Sequence, residues 1–217
     1  MQLNETQLQE FAQNGFLVIQ DFYDANDIAA VQVGIHAIIG QMMQRYEIED
    51  TRPPFSSETF DAGYMDLIRT NRRWGGEIYD LVKEIPAFNR LIAHRAHEDL
   101  MRQLRPGAIP SLTSGGSGIR IDNPNEDKFR AMWHQEYPAQ LKSPDGLVFW
   151  SPLVTVTEDL GPVVFGPGSH REGPRPVCLA DPADVGGGGA ARGGAPQAAG
   201  AGAGCIDQHA VEAQLRR

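Results

Sequence analysis

Between Gly186 and Gly204 sixteen of nineteen residues are Gly or Ala, the exceptions being Arg192, Pro196 and Gln197. Nine of the chain's 24 glycines fall in this window. No Val, Ile, Leu, Met, Phe, Tyr or Trp occurs there, so the tract has nothing with which to offset its ordering entropy. It divides the 217-residue chain into a folding part, residues 1–180, and a Gly/Ala-rich, disordered tail, residues 181–217. The closing CIDQHAVEAQLRR is compatible with a short helix too small to fold alone. A folding unit of this size is long enough to bury one real core.

Charge and composition narrow the function classes. Acidic residues number 28 against 19 basic ones, a net charge of −9, which opposes binding nucleic acid through its phosphates. No apolar run reaches the ~20 residues of a membrane helix. The opening MQLNETQLQEF lacks the basic-then-apolar layout of a secretory signal. Cys178 and Cys205 form no metal-type pair, so a reducing, cytoplasmic setting is expected.

The first hundred residues read as helical. Asn4 is placed to cap a helix carrying Leu8 and Phe11, with Gly15 as its stop. Phe16–Ile19 then reads as a short buried strand. Asn26 is placed to cap a long helix with Ile28, Val31, Ile35, Ile38 and Met42 on one face. Residues 51–60, with a Pro-Pro pair, read as a loop. Further helices are expected around 74–83 and from Pro86 through Leu104, the latter closed by Arg105-Pro106-Gly107.

After Gly107 the period changes. Ala108–Leu112, Gly118–Ile121, Phe129–Glu136, Leu147–Thr157 and Pro162–Phe165 read as strands, the fourth buried on both faces. Helices followed by antiparallel strands predict an α+β fold or a helix-buttressed β-barrel.

Within this region His134 and Glu136 are two residues apart. On a strand, i and i+2 share a face, so an imidazole and a carboxylate would converge on one point. Such a pair is two-thirds of the two-His, one-carboxylate triad that holds Fe(II). Standing alone, the triplet is a common chance occurrence. Elsewhere, His36, His94 and His97 fall on predicted helices. His94 and His97 are three apart, and the spacing reads as a solvated helical face. No G-x-S-x-G nucleophile elbow is present.

The surroundings of the triplet carry more. Arg120-Ile-Asp-Asn-Pro, WHQEYP (Trp133–Pro138), DGLVFWSPL (Asp145–Leu153) and DLGPVVFGPGSH (Asp159–His170), with the opening FAQNGFLVIQDFYD, resemble the phytanoyl-CoA dioxygenase family over about residues 7–175. The resemblance implies N-terminal helices buttressing a double-stranded β-helix, a jelly-roll barrel that is incomplete in this chain. It also implies an Fe(II)- and 2-oxoglutarate-dependent oxygenase that couples decarboxylation of 2-oxoglutarate to hydroxylation of a small organic substrate by O₂. No nucleic-acid or membrane partner is implied.

Residue by residue, His134 would be the first iron ligand and Glu136 the carboxylate ligand. Most of the family has Asp at the second position, and Glu adds one methylene. Trp150 matches a position beside the 2-oxoglutarate pocket, against the alternative of a plain core aromatic. Arg120 matches a basic residue facing substrate or co-substrate, against the alternative of pairing with Asp122 or Glu126. His170 matches a position that shapes the site entrance, though a turn role suits it better. The family's second iron-binding His and its 2-oxoglutarate-binding Arg lie on late strands that have no counterpart here. His209 and Arg216 are the formal candidates. The abrupt end of the resemblance at the Gly/Ala tract is what truncation, or a frame change in GC-rich coding DNA, produces. The alternative function is a catalytically dead barrel serving as a binding or interaction module.

Overall fold

The computed structural model describes residues 1–112, 116–123, 133–137, 141, 143–174 and 213–215. Six α-helices fill the first hundred residues. Helix α1 (Glu5–Asn14) opens with a reciprocal capping box. The Gln7 N–H donates to Asn4 Oδ1 at 2.9 Å, and the Asn4 N–H donates to Gln7 Oε1 at 3.0 Å. Gly15, with φ +83°, closes it in the left-handed conformation, as expected of that glycine.

Helix α2 (Ala25–Arg45) is the axis of the domain. Its cap is Asp24 and not Asn26: the Asn26 N–H donates to Asp24 Oδ1 at 2.8 Å. Two Asx residues stand within three positions, and the earlier one wins because its side chain reaches forward to N2. Val31, Ile35, Ile39, Met42 and Met43 are buried, while Ile28 and Ile38 flank the core half-buried. Helices α3 (Tyr64–Thr70), α4 (Arg72–Leu81) and α5 (Pro86–Ile92) pack Leu67, Ile68, Ile78 and Leu91 around this face, with Phe60 and Val82 between them. Each large aliphatic side chain fully buried here stabilises by roughly 1.5–3 kcal/mol. Residues 82–84 prolong α4 as one 3₁₀ turn.

Sequence periodicity joins residues 86–104 into one helix, but the structure breaks them at Ala93. His94 caps α6 (Arg95–Leu104) by accepting the Ala96 N–H at its Nδ1, 3.2 Å away. Gln103 on α6 straps the N-terminus down, accepting the Leu3 N–H at 2.8 Å and donating to the Met1 carbonyl at 3.1 Å. The loop through 51–60 is tied to α2 by Arg52, whose Nη1 donates to the His36 carbonyl at 2.7 Å while Nε and Nη2 hold Asp50. That guanidinium holds the Asp50 carboxyl down at about 2. It lies against Gly40 where a Cβ would stand.

The strands depart from expectation. Among the described residues there are two: β1 (Ile119–Ile121) and β2 (Ala213–Leu215), paired in parallel with Ile119 opposite Ala213. The antiparallel barrel over 108–168 is not formed there. Phe16–Ile19, Ala108–Leu112, Leu147–Thr157 and Pro162–Phe165 are irregular, as are residues 133–136; residues 129–132 lie outside the description. A strand persists only where a neighbour takes its N–H and C=O groups and a second layer covers its apolar face. Val18, Ile109, Leu112, Val148 and Val164 are instead exposed. Residues 213–215, expected in a short helix, are extended. The Gly/Ala tract, both cysteines, His209 and Arg216 lie outside the described residues.

What the second region does contribute is anchored on the helices. Ile119 and Leu153 enter the core, and buried Gln32 of α2 donates from Nε2 to the Leu153 carbonyl at 2.8 Å. The turn Gly166–His170 docks on the C-terminus of α1. The Gly168 N–H donates to the Asn14 carbonyl at 2.9 Å, and His170 Nε2 donates to the Ala12 carbonyl at 3.2 Å. Carbonyls that a helix end leaves without partners are thereby satisfied from 150 residues away.

Candidate functional site

His134 and Glu136 lie on the irregular segment Trp133–Tyr137, which belongs to no ladder among the described residues. Trp133 is 62% exposed, whereas the His134 and Glu136 side chains are 6% and 19% exposed. His134 Nε2 and Glu136 Oε1 face each other at 3.5 Å. The Glu136 carbonyl accepts the Leu141 N–H at 3.1 Å.

The pair suits a metal ion by geometry and by donor chemistry. Two atoms 3.5 Å apart can each lie about 2.0–2.2 Å from one ion, since two such bonds together exceed their separation. An imidazole nitrogen with a carboxylate oxygen is a donor set that Fe(II) accepts. Without an ion, the two attract as an ion pair when His134 is protonated. No group of three His, Cys, Asp or Glu side chains able to hold a metal occurs among the described residues.

Arg120, on β1, donates from Nε to both carboxylate oxygens of Asp122, at 3.1 and 2.9 Å. Both side chains are largely buried, and Asp122 is the partner that the sequence offered as the alternative to a ligand. Burying the two charges is tolerated because each offsets the other's desolvation. Trp150 is half-buried, and its indole Nε1 is buried with no hydrogen-bond acceptor among the described residues. Such a donor is costly to leave unmade and marks a place where an acceptor is wanted. A separate cavity of about 240 Å³ lies between α2, α3 and β1. Ile35, Ile39 and Ile78 form its floor and Asp61, Asp66 and Asp122 its acidic edge; neither His134 nor Glu136 lines it.

The sequence matches the family model of phytanoyl-CoA dioxygenase over residues 11–192. The chain belongs to that family. The match continues past residue 175, where the resemblance read from motifs ends, into the start of the Gly/Ala tract. No curated protein and no solved structure matches the sequence. The family is one of iron- and 2-oxoglutarate-type oxygenases on a jelly-roll fold. Here the helices are present, and among the described residues the sheet is reduced to one short parallel pair. No described helix is long and apolar enough to cross a membrane.

Two features escaped the sequence reading. His170, taken as a turn residue, also caps α1, and no local signal announces a partner so distant in sequence. His94 and His97, whose spacing predicts a solvated helical face, instead sit half-buried among aromatic rings. FYD at Phe22–Asp24 and VFW at Val148–Trp150 were the available hints, since rings unplaced elsewhere tend to find one another.

Proposed function

We propose that this chain is an Fe(II)- and 2-oxoglutarate-dependent dioxygenase acting on a small organic substrate, with His134 and Glu136 as two of the iron ligands. The observation that carries the reading is the close approach of His134 Nε2 to Glu136 Oε1, 3.5 Å apart and largely shielded from solvent. Bound there, iron and 2-oxoglutarate supply the oxidation, in which the co-substrate loses CO₂ to become succinate and the substrate gains a hydroxyl. The chain's own part is to hold its donors in the right protonation state and to keep water out. His134 must present Nε2 unprotonated, so a proton and the metal compete for one lone pair. Glu136 must be ionised to act as a ligand, and the 3.5 Å approach of its Oε1 to His134 Nε2 lets both donors face one ion. The buried Trp150 N–H is a donor for a carboxylate of the co-substrate. Arg120, fixed by Asp122, stands with it on the co-substrate side of the assignment.

A second reading is favoured by one observation: the described residues hold no third metal donor beside the pair. On that reading the domain binds a small molecule or a partner without redox chemistry. Succinate formation from 2-oxoglutarate with Fe(II) separates the two. The oxygenase reading expects turnover in the full chain and at least a hundredfold loss in His134→Ala, with Fe(II) affinity falling ~10-fold or more. A folded chain that neither binds Fe(II) nor forms succinate is the binding module.

A further inference from the structure

His97 on α6 is the centre of an aromatic cluster that joins three distant segments. Its ring lies 4.3 Å from Phe149 and 5.4 Å from Phe22, centroid to centroid, the latter nearly parallel at 9°. Tyr23 meets it edge-on, 5.8 Å away at 88°. Asp21, with φ +51°, makes the tight turn that delivers Phe22 and Tyr23 just before α2.

The hydrogen bonds fix the state of the ring. Nδ1 is 3.1 Å from the Ile92 carbonyl, which can only accept, so Nδ1 carries a hydrogen. In a neutral imidazole Nε2 is then the acceptor, and the Tyr23 hydroxyl, 2.7 Å away, donates to it. Both nitrogens are thus satisfied by the neutral tautomer. A proton added at Nε2 would meet the hydrogen of the Tyr23 hydroxyl and force it to turn away.

We propose that His97 is a proton-operated latch: neutral, it clasps the Phe22–Tyr23 turn and Phe149 onto α6, and uptake of one solvent proton at Nε2 loosens the 147–150 segment. The groups facing the ring from each element are Tyr23 and uncharged Phe22 on the turn, His94 at the cap of α6, the Ile92 carbonyl at the end of α5, and uncharged Phe149. Burial pushes the His97 pKa below the usual imidazole value, and His94 pushes it further the same way; the Ile92 carbonyl opposes both. Burial also raises Tyr23 to about 12, so its hydroxyl keeps its hydrogen through the physiological range. An imidazolium would gain from the faces of Phe22 and Phe149, but it would lose hydration and the Tyr23 donor.

The direction follows from the lowered value. The clasp is at full strength above about pH 6.5, the ordinary imidazole pKa. As pH falls below that, the opened state takes up the proton first, and the clasp weakens until the lowered value of the closed state is passed. The latch depends on neither iron nor 2-oxoglutarate, although Phe149 adjoins Trp150.

The test is an NMR titration of the full chain from pH 8 to 5. The His97 ring should titrate below about 6.5, and the amides of residues 147–150 should shift with the same midpoint. In His97→Phe, which keeps a stacked ring and cannot titrate, those amides should stay flat. Should that variant not fold, Tyr23→Phe answers the question: losing the donor to the neutral ring should raise the His97 midpoint. The latch is overturned if His97 titrates at or above the ordinary value. It is equally overturned if the 147–150 amides ignore that titration, if they still shift over the same pH range in His97→Phe, or if Tyr23→Phe leaves the midpoint in place.

Discussion

The helical region before residue 105 and the region from 108 to 174 both carry large apolar residues in sequence, the first more densely, but the two have opposite fates in the fold. Among the described residues, 17 apolar side chains are buried in the first and two, Ile119 and Leu153, in the second. The exposed large apolar side chains divide six to seven, although the second region is far shorter. A helix satisfies its own backbone and needs only one covered stripe, so α1–α6 can close a core from local sequence. A strand needs a neighbour before it exists at all. The second region is accordingly held by attachments to the helices: the Gln32 bond to Leu153, the entry of Ile119 into the core and the docking of 166–170 on α1.

The largest effect expected of this contrast is at Leu67, which is fully buried on α3. Leu67→Ala should lower stability by about 3 kcal/mol, from lost transfer energy and the cavity left behind. Val164→Ala, at a side chain 66% exposed, should change it by less than about 0.5 kcal/mol. Urea unfolding followed by far-ultraviolet circular dichroism reads both. Equal losses at the two positions would mean that Val164 packs in solution against a surface that covers it, and the contrast between the regions would collapse.

Gln32 probes the joint itself. Gln32→Leu removes the donor to the Leu153 carbonyl and leaves that buried acceptor unpaired, at a cost of about 2 kcal/mol. Because the helical core is otherwise intact, hydrogen exchange should quicken around 150–154 more than within α2. Uniform quickening of both would show that the two regions unfold as one cooperative unit.

Sequence was most informative where the physics is local. The Asn4 cap, the Gly15 stop and the three-four spacing of Val31, Ile35 and Met42 all reappear in the fold, because each depends on residues within one or two turns. Helix α3 and the break at His94 went unread, the first for its seven-residue length and the second because histidine is an uncommon cap. His134 and Glu136 approach each other as their i, i+2 spacing suggested, although the segment that carries them forms no strand among the described residues. The strands of 147–157 and 162–165 were misjudged. Their Val and Phe content states a preference for a sheet, but a sheet is made by other segments, and the described chain supplies none beside them. The histidine cluster around His97 and the cap by His170 depend on contacts 74 and 158 residues apart, which no window of sequence contains.

The smallest effect concerns the other attachment, at the end of α1. Gly15 has φ +83°, and a Cβ there would collide with the His170 ring. Gly15→Ala should therefore cost about 1 kcal/mol from the left-handed backbone alone, and it should also push His170 off the Ala12 carbonyl. His170→Ala removes only that exposed hydrogen bond and should cost about 0.5 kcal/mol. The two variants separate strain in the helix cap from loss of the dock. Limited trypsin digestion at exposed Arg171 provides the second reading. If the 166–170 turn is held mainly by His170, both variants should be cut faster than the parent chain. If the Gly168 bond to the Asn14 carbonyl and the stacking of Phe165 on Phe16, 4.8 Å apart, are enough to hold it, His170→Ala should be cut at the parent rate while Gly15→Ala, which disturbs the helix end itself, is cut faster. The second outcome is expected, because two attachments remain in His170→Ala and both originate outside the imidazole.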